Sequence, residues 1–148
     1  MTYCVGMRLN RGLVFMSDTR TNAGVDNVAT VRKMFTWHKP GERMITLMTA
    51  GNLATTQSVV SILDERTKVP AERNPSLLET PTMFQAARLV GEALRETIQT
   101  NAQSGQSAEA MFGATLILGG QIKGTPPRLF LIYPQGNFIE ATDDNPYF

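Results

Sequence analysis

All the helical periodicity in this chain falls in its middle, between Leu53 and Ile98, with strand-like segments on both sides. A parallel sheet needs a crossover, usually a helix, between successive strands, so grouping the helices together excludes a βαβα order. The predicted strands ahead of the helices are Tyr3–Leu9, Leu13–Ser17, Lys33–Trp37 and Arg43–Thr49. Asn10-Arg11-Gly12 and His38-Lys39-Pro40-Gly41 supply turn chemistry between them, and TNAGVDNVAT has loop composition. The first helix is predicted from Leu53, with Asn52 as N-cap and Pro70 as its stop. VPAERNPSLLET then reads as a connector. Thr80 is the predicted cap of a second helix with Pro81 at its first position. Met83, Ala87, Val90, Leu94 and Ile98 give that helix one apolar face, and NAQSGQSAEA ends it as a loop. Ala114–Leu118, Leu129–Tyr133 and Phe138–Ala141 complete the strands, separated by Gly-Gly, Pro-Pro and Pro-Gln-Gly-Asn turns. Four strands, two helices and three strands make one α+β domain in which helices cover a sheet face.

Residue counts narrow the chemistry. The 148 residues carry 14 basic and 13 acidic side chains, a net charge of +1. That balance gives no electrostatic footprint for nucleic acid or an anionic membrane. Cys4 is the single cysteine and His38 the single histidine. A disulfide framework and a thiolate metal cluster are therefore excluded. A Ser-His-Asp triad could rest only on His38, which is expected in a solvated turn. There is no glycine-rich nucleotide-binding run, and no cofactor or metal is implied. With neither a leader nor an apolar run of about 18 residues, the expected location is cytoplasmic.

The first hairpin brings reactive groups together. A turn near Asn10-Arg11 pairs positions whose numbers sum to about 20 or 21. Thr2 then faces Asp18 or Thr19. Arg32-Lys33 opens the third predicted strand, and alternation sends one of these cations inward. If Met1 is removed, Thr2 carries a free α-amine beside its hydroxyl. Such an amine can take the hydroxyl proton, because its pKa of about 7.7–8.0 lies close to working pH. A lysine ammonium would lower the hydroxyl pKa, a carboxylate would hold that lysine, and the Gly51 N–H could meet an oxyanion. Each residue also has a plain structural reading. Thr2 can be a first strand residue, Asp18 a partner of Arg20, Lys33 a solvated charge and Gly51 a helix-entry glycine.

The stretch TYCVGMRLNRGLVFMSDTRTNAGVDNVATVRKM, followed by MTAGNLATTQSVV, resembles the proteasome β-subunit family and is most similar to its bacterial Anbu, or ancestral β-subunit, branch. The family pattern is an N-terminal threonine, a D-x-R after the second strand, a lysine opening the third, and Ala-Gly before the first helix. Here these are Thr2, Asp18-Thr19-Arg20, Lys33 and Ala50-Gly51. The resemblance implies an N-terminal nucleophile hydrolase fold, an αββα sandwich of antiparallel sheets. It implies catalytic roles for Thr2, Asp18, Lys33 and Gly51. It also implies substrate contacts from Arg20, Thr21, Asn22, Thr49 and Leu53, with Thr49 and Leu53 lining the side-chain pocket. The partners it implies are a peptide or protein substrate and further copies of the chain, in a ring or ring-like helix.

Two departures from the family bear on the site. The Asp18-to-Lys33 loop is one residue shorter than in typical proteasome subunits, so choosing Lys33 over Arg32 rests on the motif. Asn22 stands where relatives keep a substrate-binding threonine. The family also continues past Phe148 with further helices and strands, so residues 1–148 are expected to be the N-terminal part of one β-type domain. The resulting expectation is a threonine-type peptidase or amidase subunit. The alternative is a non-proteolytic assembly subunit of the same fold.

Overall fold

The computed structural model describes residues 2–22, 28–68, 75–102 and 108–148. Its elements, in order, are strands β1 (Cys4–Leu9), β2 (Gly12–Ser17), β3 (Arg20–Asn22), β4 (Val28–Thr30), β5 (Met34–Lys39) and β6 (Arg43–Gly51). Helices α1 (Leu53–Lys68), α2 (Met83–Asn101) and α3 (Ala108–Phe112) follow, then β7 (Ala114–Ile122), β8 (Arg128–Ile132) and β9 (Phe138–Glu140). The strands β5-β6-β7-β8-β9 form one antiparallel sheet in that order, so each strand pairs with its neighbour in sequence and the helices sit within the β6-to-β7 connection. That is the α+β order expected.

The five-stranded sheet is apolar on both faces. One face carries Ile45, Leu47, Leu116, Leu118, Phe130 and Ile132 into a core shared with α1 and α2. All five expected apolar positions of α2 are buried there. On the opposite face Met48, Ile117, Leu129 and Ala141 meet Cys4, Leu13 and Phe15 of the β1–β2 hairpin. Three layers result: helices, the large sheet and the smaller sheet. Residues at the C-terminal end run along the free edge of β1, where Gly6 and Phe148 exchange N–H···O bonds of 2.9 Å in both directions. The outer face of the hairpin remains apolar and exposed through Met7, Leu9, Val14 and Met16.

Several local expectations are corrected. Gly119-Gly120 is not a turn but the interior of β7, paired with Thr46 and Ile45 on one side and with Leu129 and Arg128 on the other. Close approach explains both glycines: a Cβ on Gly119 would lie 2.6 Å from Phe15 Cζ, and one on Gly120 would lie 2.6 Å from the Met44 carbonyl oxygen. The α2 cap is Thr82 rather than Thr80. Thr82 has extended backbone angles and its Oγ1 accepts the Gln85 N–H. Thr80 is instead buried in the preceding turn, where its hydroxyl donates to the Leu77 carbonyl. Pro81 therefore precedes the cap instead of opening the helix. The stretch read as loop over 21–30 contributes to β3 and β4, with its residues 23–27 outside the described part. Likewise, the loop expected over 101–110 includes the start of α3, and its residues 103–107 are not described. The α1 stop at Pro70 also falls outside the described residues, α1 being described through Lys68. His38 lies in β5, exposed, because the strand runs on until Lys39 pairs with Arg43. No helix among the described residues is long and apolar enough to cross a membrane.

Candidate active site

The hairpin register resolves in favour of the sum of 21, as in Cys4 paired with Ser17. Beyond the ladder, the Asp18 N–H donates to the Tyr3 carbonyl at 2.9 Å, and the Tyr3 N–H donates to Asp18 Oδ1 at 2.9 Å. One carboxylate therefore anchors the start of β1. Its second oxygen accepts the Arg20 N–H at 3.0 Å. Lys33 comes to the same group from the other side. Its Nζ lies 2.9 Å from both Asp18 oxygens and donates to the Arg20 carbonyl at 2.6 Å.

Lys33 is 6% exposed, which a cation tolerates only when it is paired and hydrogen-bonded. Its backbone is fixed as well, since its carbonyl accepts the Thr49 N–H at 2.9 Å and extends the β5–β6 ladder by one residue. Of the two adjacent cations, Lys33 is the one buried and Arg32 the one exposed. The Tyr3 N–H, the Lys33 ammonium and the Arg20 N–H together hold the Asp18 carboxyl down at about 2. Cys4 sits nearby with its Sγ 3.8 Å from the Thr49 carbonyl. Burial, and then the Asp18 charge, push this thiol up against the opposing pull of Lys33. A thiol so placed stays protonated and weakly nucleophilic.

Gly51 closes β6 with φ at +116°, where an L side chain is strained. An added Cβ would also lie 2.6 Å from the Gly113 carbonyl oxygen and 2.8 Å from Ala114 Cα. Gly51→Ala is expected to destabilise the fold by roughly 3 kcal/mol, read as a lower urea midpoint. An unchanged midpoint would show that the β6–α1 corner can shift to accept a methyl group. Asn52 caps α1 as expected, its Oδ1 accepting the Thr55 N–H at 3.0 Å. Its Nδ2 and the Thr55 hydroxyl reach the Met111 and Phe112 carbonyls at 3.0 and 2.9 Å, locking the corner to the end of α3.

Six of the expected residues line one cavity of about 30 Å³: Thr2, Thr21, Lys33, Thr49, Gly51 and Leu53. Asp18 stands behind Lys33. Arg20 contributes its backbone to the cluster while its side chain is exposed. Asn22 is placed only by its backbone pairing with Val28. Val31, Arg32 and Thr56 also line the cavity and were not anticipated as site residues. Thr56 could have been found from Leu53, because residues three apart share a helix face. A far larger depression of about 680 Å³, bounded by Arg8, Arg11, Pro126 and Asp143, lies by the β1–β2 turn and contains none of these groups. No cluster of His, Cys, Asp or Glu able to hold a metal occurs among the described residues.

The family model for proteasome subunits matches residues 2–143. The chain belongs to the proteasome subunit family. Solved structures similar to this proteasome-family chain include Anbu (ancestral beta-subunit) from Yersinia bercovieri, at 51% identity and a TM-score of 0.90. Anbu from Hyphomicrobium sp. strain MC1 matches at 50% and 0.87, and a helical assembly of the Anbu complex from Pseudomonas aeruginosa at 46% and 0.89. Each match covers 100% of this chain and 59% of the solved one. The proteasome-family chain thus spans about three-fifths of the length of these relatives. No match was found among curated protein sequences.

Proposed function

We propose that the chain is a threonine-type N-terminal nucleophile hydrolase subunit that cleaves peptide or amide bonds within a cytoplasmic homo-oligomer, once Thr2 is its first residue. The observation that carries this reading is that Thr2, Lys33 and Gly51 share one cavity, with Asp18 fixing Lys33 from behind. In the reaction, the Thr2 α-amine takes the hydroxyl proton and Oγ1 attacks the substrate carbonyl. The Lys33 ammonium stabilises the developing alkoxide, and the Gly51 N–H meets the tetrahedral oxyanion. The amine returns its proton to the leaving nitrogen, and water then releases the acyl group from Oγ1. The partners are a peptide or protein substrate and further copies of the chain, with no nucleic acid, membrane or cofactor needed.

Comparing the Met1-bearing and trimmed forms tests this. With Met1 present the Thr2 nitrogen is an amide and cannot act as a base, so that form is expected to be silent at every pH. In the trimmed form kcat/KM should rise as pH climbs through the α-amine range of about 7–8, because only the unprotonated amine accepts the hydroxyl proton. Asp18, held at about 2, stays ionised throughout and adds no acid limb between pH 4 and 9. Equal turnover by the two forms would sink the mechanism. A second reading, a non-proteolytic assembly subunit of the same fold, is favoured by Asn22, which stands where relatives keep a substrate-binding threonine.

A further inference from the structure

We infer that Asn52 and Thr55 are positioning residues for the oxyanion donor, holding the Gly51 N–H in place through the C-terminal end of α3. This rests on the hydrolase reading above and adds to it the parts that keep one catalytic group aimed. In an antiparallel sheet, successive residues of a strand bond alternately to the neighbours on either side. The Thr49 N–H donates toward β5, to the Lys33 carbonyl at 2.9 Å, and the Asn52 N–H donates toward β7, to the Gly113 carbonyl at 3.0 Å. The Gly51 N–H, two residues after Thr49, therefore points to the β5 side, past that last bond. The cavity shared with Thr2 and Lys33 lies there.

Nothing intrinsic to Gly51 keeps it so. Without a Cβ, it reaches its φ of +116° but reaches many other angles as readily. The orientation is imposed from outside. On one side, Ala50 is paired with Thr115 in the β6–β7 ladder. On the other, three consecutive carbonyls at the end of α3 accept from the start of α1. Met111 accepts Asn52 Nδ2 at 3.0 Å, Phe112 accepts the Thr55 hydroxyl at 2.9 Å, and Gly113 accepts the Asn52 N–H. Thr55 is fully buried, where a hydroxyl needs its partner. An oxyanion donor acts by being aimed in advance, and a misplacement of about 1 Å can cost roughly a hundredfold in rate. The two side-chain bonds supply that aim from the C-terminal side of Gly51.

Neutral substitutions test this on the assembled protein with Thr2 as its first residue. Asn52→Ser keeps a cap oxygen for the Thr55 N–H but is too short to reach the Met111 carbonyl. Thr55→Val keeps the shape and loses the hydroxyl, and Thr55→Ser restores it. Each is measured for peptide hydrolysis and for inhibition by a peptide aldehyde. The aldehyde reports on the donor: Thr2 Oγ1 bonds to its carbon, the hydroxyl proton passes through the α-amine to the former carbonyl oxygen, and that oxygen accepts the Gly51 N–H. Asn52→Ser and Thr55→Val are each expected to lower kcat about tenfold, less than the roughly 10²–10³ for deleting an oxyanion donor outright, and to weaken the aldehyde by a similar factor. KM should change little, because the contact is made only in the transition state. Thr55→Ser should stay near wild type. Wild-type kcat and aldehyde affinity in either Asn52→Ser or Thr55→Val would overturn the positioning role and leave the hydrolase reading standing. So would a loss carried by KM alone, a fall in kcat with aldehyde affinity unchanged, or an equal fall in Thr55→Ser. A wild-type protein that neither cleaves peptides nor binds the aldehyde would overturn both.

Discussion

Thr2→Ala is expected to lower peptide hydrolysis by about ten-thousand-fold or more while leaving folding and assembly intact. Removing a nucleophile whose neighbours act only through it leaves the residual catalysis of binding and oxyanion contacts. The substitution keeps the α-amine, so it isolates the hydroxyl. Structural cost should be small, within about 0.5 kcal/mol, as for a partly buried residue outside the ladder pairs. Thr2→Ser keeps the hydroxyl and should retain most of the turnover. The paired measurements are peptide hydrolysis and the size of the assembly by gel filtration. Loss of turnover with unchanged size supports the enzyme. Undiminished turnover in Thr2→Ala would end the hydrolase reading and leave the assembly subunit.

Lys33→Met is expected to cost about a thousand-fold in kcat, since in the proposed reaction it removes the charge facing the developing alkoxide and keeps the side-chain length. The change also strips Asp18 of its cation and leaves only the Tyr3 and Arg20 N–H groups on the carboxylate. The carboxyl should then titrate closer to its ordinary range. The sign of the stability effect follows. A depressed carboxyl contributes stability that is fully present above its unfolded pKa and is lost as pH falls toward its folded value of about 2. Wild type should therefore lose more stability between pH 7 and pH 3 than Lys33→Met does, as read from urea midpoints at the two pH values. Adding Asp18→Asn to Lys33→Met should cause little further loss of kcat, because the two side chains act on the reaction as one unit. Fully additive losses would show that they do not.

Much of this architecture is legible in the residues. The Asn10-Arg11-Gly12 turn limits the hairpin to two registers, and both bring Asp18 beside the start of β1. Asn52 announces α1 through local cap chemistry, and α2 shows its buried face through spacing alone. The missed features depend on distant atoms. Gly119-Gly120 reads as a turn until Phe15 and the Met44 carbonyl are brought against it. Thr80 and Thr82 are equivalent caps by composition, and burial of the first in a turn decides between them. The strands β3 and β4 are three residues each, too short for alternation to register. In the site, the Lys33–Asp18 pairing follows from the motif. The lining residue Thr56 is legible only through Leu53, three residues before it on the same face of α1.

The Asp18 carboxylate holds two things at once, the leading end of β1 through Tyr3 and the buried ammonium through both its oxygens. Backbone placement of the residue before Tyr3 and the electrostatic field around it are therefore one mechanical variable. Protonation of this single acid, or its replacement by a neutral amide, loosens the Tyr3 tether and the grip on the ammonium together, leaving the Asp18 N–H on the Tyr3 carbonyl and the ammonium on the Arg20 carbonyl. Sequence drift at position 18 consequently has no gradual route: the tether and the field are kept jointly or surrendered jointly.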